Sequence, residues 1–185
     1  MTSHTLTAAG IDFMANWQAR FPETPPIGHH FKHFLAKRWM RIYSLPDAQR
    51  YARDKAEWDI LLARQNAVID HLIPQDTPIQ FVFTVIKPDS HIFVSFDLTP
   101  LGHVYHADDA AAYELWALND IWHSGHYDVF LSMIADEDLR AFIIAPDCLI
   151  APYDGGVDVI LRDPHSAHAF KRHFSDWVSP RADGL

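Results

Sequence analysis

Cysteine is the scarcest reactive residue here: Cys148 stands alone in 185 residues. One cysteine excludes an intramolecular disulfide and a cysteine-built zinc cage, and fits a reducing compartment. Its neighbours Leu149 and Ile150 favour a small apolar residue within a strand over a reactive nucleophile. Glycine is sparse as well, at seven residues, while six Trp, twelve Phe and six Tyr help make 49% of the chain apolar. That composition excludes a disordered chain. Basic residues are outnumbered, 15 Lys and Arg against 24 Asp and Glu, for a formal net charge of −9. Phosphate-backbone binding needs clustered cations, so nucleic acid is a poor partner and a protein with a basic surface a better one. An acidic balance also serves plain solubility. Long hydrophobic runs are missing: residues 79–86 fall well short of the ~20 that a spanning helix needs. Residues 1–10 lack a basic segment followed by an apolar one, so no secretory signal and a cytoplasmic location are expected.

Familiar catalytic signatures are absent too. There is no G-x-S-x-G elbow, glycine-rich phosphate loop, dinucleotide fingerprint or H-E-x-x-H. A triad assembled in space stays open, but the sequence gives catalysis no positive support and implies no cofactor.

What is present reads as one α+β domain over residues 1–185, with 1–26 as a helical N-terminal extension. Helical spacing of Ile11, Met14 and Trp17 predicts a helix over 7–20, closed by Pro22. A short amphipathic helix follows, with Ile27, Phe31, Phe34 and Leu35 on one face and His29 and His33 opposite. Residues 39–45 alternate as a strand ended by Pro46. The strongest periodicity runs over 47–73: Trp58, Leu61, Leu62, Val68, Ile69 and Leu72 form a stripe interrupted only by Gln65, with Asp47 as cap.

After Pro74 the texture turns to strand. Residues 79–86 and 91–98 predict a hairpin across Lys87-Pro88-Asp89-Ser90. Residues 110–122 predict a buried helix with Gly125 as its C-terminal cap and His123 near its end. Two further hairpins are expected: 127–134 with 139–145 around Asp136-Glu137-Asp138, and 148–153 with 157–162 around Asp154-Gly155-Gly156. In the second, the glycines would supply positive φ. A last helix, capped by Asp163 with Pro164 first, buries Ala167, Phe170, Phe174 and Trp177. The expected fold is a mainly antiparallel sheet packed against one long helix and a C-terminal helix.

Four H-x-x-H pairs stand out, His30/His33, His103/His106, His123/His126 and His165/His168, where composition alone gives roughly one. The last pair falls on the polar side of the final helix beside Arg172 and reads as solvated. No metal site is expected; should there be one, His103, His106, His123, His126 and Asp128 are its candidate ligands. Asp154 and Asp158 could approach across their hairpin and bind a cation or share a proton, although a turn alone accounts for the string. Arg41, Arg50 and Tyr51 cluster about the Ser44-Leu45-Pro46 corner, where anion binding competes with an ordinary salt bridge.

Trp39-Met40-Arg41-Ile42-Tyr43-Ser44-Leu45-Pro46, Arg50-Tyr51, Ile134-Ala135-Asp136, Pro152-Tyr153-Asp154-Gly155-Gly156 with Asp158, and Trp177-Val178-Ser179 near Gly184-Leu185 carry a family resemblance. Together they resemble an uncharacterised bacterial family catalogued as a domain of unknown function, over most of the chain from about the second helix onward. The resemblance implies a small bacterial cytosolic protein and no particular activity. Two functions follow as expectations. One is a non-catalytic protein-binding module, in its most concrete form an immunity protein neutralising a toxin, contacting its partner through Asp136, Glu137, Asp138, Tyr153 and Asp154. The other is a small metal-dependent hydrolase using the central histidines with Asp128 or Asp158.

Overall fold

The computed structural model describes residues 4–86, 96–106 and 110–178. In chain order its strands are β1 (His4–Leu6), β2 (Trp39–Tyr43), β3 (Pro78–Val85), β4 (Thr99–His106), β5 (Ala111–Ile121), β6 (Ala141–Ile144), β7 (Cys148–Tyr153) and β8 (Gly156–Leu161). The helices are α1 (Ala8–Arg20), α2 (Phe31–Phe34), α3 (Lys55–Leu72), α4 (Asp128–Ala135) and α5 (Pro164–His173). All eight strands join one antiparallel sheet in the order β1-β4-β5-β3-β6-β7-β8-β2. The fold is therefore α+β. No helix among the described residues is long and apolar enough to cross a membrane.

Strand alternation sends side chains to two faces, and both faces are covered. Phe81, Phe83, Ile143, Ile150, Val157 and Val159 meet Val68 and Ile69 of α3, Phe130 and Leu131 of α4, and Phe170 of α5. On the other face Val82, Phe142, Leu149 and Ile160 meet Phe13, Met14 and Trp17 of α1, with Phe31. The N-terminal residues thus supply part of the core: the Trp17 ring lies 5.5 Å from Phe142, and its Nε1 donates to the Thr24 carbonyl at 2.7 Å. Fully burying each such large side chain stabilises by about 1.5–3 kcal/mol.

Several local expectations need correction. Residues 111–121 are strand β5, not a helix, and Gly125 sits at φ 75 in the turn beyond it rather than on a helix end. Tyr113, Leu115 and Ala117 point into one core at a strict two-residue period. Flanking strands β3 and β4 satisfy the β5 backbone on both sides, which overrides the helix preference of its Ala, Leu and Glu residues. His123 consequently lies in the same turn region. Residues 128–135, expected as strand, form α4: Phe130, Leu131, Ile134 and Ala135 are buried at helical spacing, and Asp128 occupies the first turn, where negative charge is favoured. The hairpin proposed across 136–138 is therefore a helix-to-strand link. Helix α3 begins eight residues later than the pattern suggested. Asp47 and Ala48 stand at φ 55 and φ 56, outside helical geometry, and the cap is Asp54, which accepts from the Glu57 N–H at 3.0 Å. Of the hairpin proposed for 79–98, residues 87–95 lie outside the described residues, and β3 is flanked by β5 and β6 instead.

The β7–β8 hairpin forms as expected, but for another reason. Neither Gly155 nor Gly156 has positive φ. Gly156 is needed for space: a Cβ there would stand 2.0 Å from the Ile42 carbonyl oxygen of neighbouring β2.

One feature of the register positions the site. β6 pairs with β3 only from Gln80 to Phe83 and with β7 only at Leu149 and Ile150. Beyond Ala141 the sheet parts, with β3 and β5 continuing on one side and β7, β8 and β2 on the other. Pro152, which has no N–H to offer a neighbour, falls where β7 has lost its β6 partner.

Candidate functional site

The parted sheet leaves a cleft of about 660 Å³. Thr84 and Tyr113 line one wall, Ala151 to Asp154 and Asp158 the other, and Ile134, Glu137, Leu139, Arg140 and Ala141 close one end. Gly28, His29 and Lys32 border it from the segment before and within α2.

Register explains the central pair. Arg41 of β2 stands directly opposite Asp158 of β8, both on the face shared with Tyr153. Arg41 Nε and Nη2 donate to Asp158 Oδ1 and Oδ2 at 2.7 and 2.9 Å. This is the bidentate geometry that makes arginine and carboxylate a strong match. Only 17% of the Arg41 side chain and 6% of the Asp158 side chain remain exposed. Burial works against the Arg41 charge, yet the hydrogen bond and charge of Asp158 outweigh it and leave the guanidinium pKa raised. The same guanidinium lies 4.4 Å from the Tyr153 ring centroid and 5.4 Å from that of Trp39. Burial pushes the Tyr153 phenol far upward, keeping it protonated.

A second network closes the mouth. Arg50 Nε donates to Asp154, Arg50 Nη2 donates to Glu137 Oε1 at 3.2 Å, and the Tyr51 hydroxyl donates to the same Glu137 oxygen. That last bond, above all, pushes the Tyr51 phenol up to about 12. Glu137 sits at φ 64, directly after the cap of α4, in the left-handed region where glycine is usual. A non-glycine residue there costs about 1 kcal/mol or more, so the position is held by the contacts its carboxylate makes.

Seven of the nine binding residues expected from sequence thus converge: Arg41, Arg50, Tyr51, Glu137, Tyr153, Asp154 and Asp158. Asp136 and Asp138 flank Glu137 in the exposed turn and do not line the cleft. Asp154 and Asp158 each face a different arginine. Sequence reasoning missed Lys32 and Arg140, which line the cleft with no carboxylate partner among the described residues. Their positions follow from where the sheet divides, which no local pattern announces.

The histidine candidates do not gather. His106 stands opposite Ala111 at the start of β5, whereas His123 and His126 follow Ile121 at its end. Ten steps of ~3.3 Å put roughly 33 Å between the two ends. His103 faces Thr5 and Glu114 across β4, His123 Nδ1 is 3.7 Å from Asp76, and Asp128 accepts from Asn66 at 2.7 Å. Among the described residues no three or more His, Cys, Asp or Glu side chains are placed to hold a metal ion. The pairing that does form crosses the H-x-x-H spacing: the His30 ring lies 4.3 Å from His29 and 4.1 Å from His106. The Cys148 thiol is buried and pushed up to about 12, chiefly by that burial.

A family model described as Domain of unknown function (DUF3885) matches residues 27–182, a span that takes in every residue lining the cleft. No curated protein and no solved structure matches the chain.

Proposed function

Because the chain belongs to the Domain of unknown function (DUF3885) family, whose description names no activity, we propose its role from the site itself: a non-catalytic protein-binding module of the cytosol. Its most concrete form is an immunity protein that neutralises a cognate bacterial toxin. One observation carries the reading. The three carboxylates that line the cleft among the described residues, Glu137, Asp154 and Asp158, are each engaged by an arginine. A general base or metal ligand must keep its lone pairs available, whereas a recognition surface gains from side chains already held in place. Arginine and tyrosine, the residues that frame this mouth, are also those that dominate binding energy at protein interfaces. The chain's charge of −9 and the exposed Asp136 and Asp138 would steer a partner with a basic surface. Such a partner would seat one carboxylate side chain between Lys32 and Arg140 inside the cleft.

The test is a pull-down from the native host with two baits, the wild-type chain and Asp136→Lys/Asp138→Lys. A specific protein should be retained by the first and depleted on the second, with retention falling as salt rises. Recovery of no specific protein at moderate salt overturns the binding role, and equal retention on both baits removes the acidic rim from it. Where the recovered partner is a toxin, co-expression with the chain should restore growth of cells that the toxin alone arrests.

A further inference from the structure

A second cavity, of about 390 Å³, lies at the opposite end of β7 and β8 from the cleft. The register builds it. Cys148 pairs with Leu161 and Trp39 with Ile160, so Arg38, Arg162 and the β6–β7 turn at Pro146 and Asp147 all meet at one sheet end. The C-terminal end of α1 brings Arg20 and Phe21 to the same place.

Its charge is out of keeping with the molecule. In a chain with nine more acidic than basic residues, three arginines, Arg20, Arg38 and Arg162, line this cavity with, among the described residues, a single carboxylate, Asp147. That carboxylate is a weak partner: Arg162 Nη1 lies 3.5 Å from Asp147 Oδ1, and the two side chains are 78% and 72% exposed. Arg20 and Arg38 flank one buried ring, their Cζ atoms 5.0 and 5.8 Å from the Phe21 centroid. Three guanidiniums carry about fifteen N–H donors. Protein acceptors take few of them: Arg20 Nη2 donates to the Ala145 and Pro146 carbonyls at 2.7 and 2.9 Å, and Arg38 Nη1 reaches the Arg162 carbonyl at 3.3 Å. The two carbonyl bonds fix the Arg20 side chain, and its Nε and Nη1 donors have no hydrogen-bond acceptor among the described residues. Burial, the largest cause, lowers the Arg20 pKa; Cys148 and Asp147 raise it, and the charge of Arg38 lowers it again by less.

We propose that this cavity binds a small phosphate-type oxyanion between the guanidiniums of Arg20, Arg38 and Arg162. The planar guanidinium fork matches tetrahedral oxyanions in bidentate geometry, and an anion supplies the charge that Asp147 only partly provides. An extended polyanion such as a nucleic-acid backbone is the wrong ligand, because the net negative charge of the rest of the chain repels it. The site is separate from the cleft and does not depend on the role proposed there. Arg20 and Phe21 precede the segment matched by the family model, so the site joins the N-terminal helix to the family domain.

The test is calorimetric titration of the full chain with inorganic phosphate and, separately, with phosphoserine, at constant ionic strength set by sodium chloride. Wild type should show saturable binding, weakened about tenfold or more by Arg38→Gln and by Arg162→Gln. Asp147→Asn removes the competing carboxylate and should tighten binding, a gain that misfolding cannot produce. Tighter binding of phosphoserine than of phosphate means that the group arrives on a protein chain; equal binding means the free ion. No saturable heat in wild type, or isotherms unchanged in all three variants, overturns the proposal.

Discussion

At the scale of single residues, the Arg41–Asp158 pair carries the sharpest energetic consequence. Asp158 is buried on the sheet, and Arg41 is its bidentate counter-charge. Replacing Arg41 with Met strands that carboxylate, which should cost about 3–5 kcal/mol in urea unfolding. The double variant Arg41→Met/Asp158→Leu removes both charges and should regain most of the loss. If the single variant loses under about 1 kcal/mol, the pair behaves as a solvated surface bridge and does not organise the cleft. Glu57 makes a prediction of a different kind. Its carboxylate accepts from the Arg53 guanidinium and the Arg53 N–H, with Gln49 adding a further bond, and is held down to about 2 from 4.5. A carboxylate whose folded pKa lies below its unfolded one stabilises fully above the unfolded value. That contribution is lost as pH falls from 4.5 through about 2. Glu57→Gln should therefore flatten the acid limb of a stability-against-pH curve in that window, and an unchanged slope would contradict the assignment.

At the scale of elements, the turn after α4 joins backbone strain to the site. Glu137→Gly and Glu137→Ala both remove the carboxylate that Arg50 and Tyr51 hold, but only glycine also relieves the positive φ. The glycine variant should be the more stable of the two by about 1 kcal/mol in thermal or urea unfolding. Equal stabilities would mean that the left-handed geometry is not retained in solution. How far elements were legible depends on whether local and tertiary demands agreed. Helix α1 with its periodic apolar residues and Pro22 beyond its end, helix α5 with Asp163 and Pro164, and the β7–β8 hairpin were readable because periodicity and the residues at the element ends pointed one way. β5 and α4 exchanged identities. The alternation of Tyr113, Leu115 and Ala117 competes with the helix-favouring Ala and Leu around it, and Phe130 and Ile134 are strand-favouring residues at helical spacing. Long-range pairing to β3 and β4 decided the first, and no local signal contains it. The start of α3 was misplaced for a plainer reason. Asp47 and Asp54 are both competent caps, and only Asp54 has a glutamate three residues on: the Glu57 N–H donates to the Asp54 carboxylate, and the Glu57 carboxylate accepts the N–H of Arg53, the residue just before the cap.

At the scale of the whole molecule, the chain combines a net negative charge with two arginine-bearing cavities at opposite ends of β7 and β8. The motif-bearing strings of the sequence, around Arg41, Arg50 and Tyr153, converge on the first. This part of the site was legible because cross-strand register turns sequence neighbours of the hairpin into spatial neighbours. Lys32, Arg140 and the Arg20–Arg38–Arg162 cavity were not legible, since each depends on where separate elements end. The most direct measurement of the central claim is the dissociation constant of the partner recovered from the host, determined by calorimetry for the wild-type chain, Arg50→Ala and Tyr51→Ala. With the cleft mouth as recognition site, each substitution should weaken binding by about thirtyfold or more while the fold is retained. Affinities within about twofold of wild type in both variants would contradict it and place recognition elsewhere on the surface.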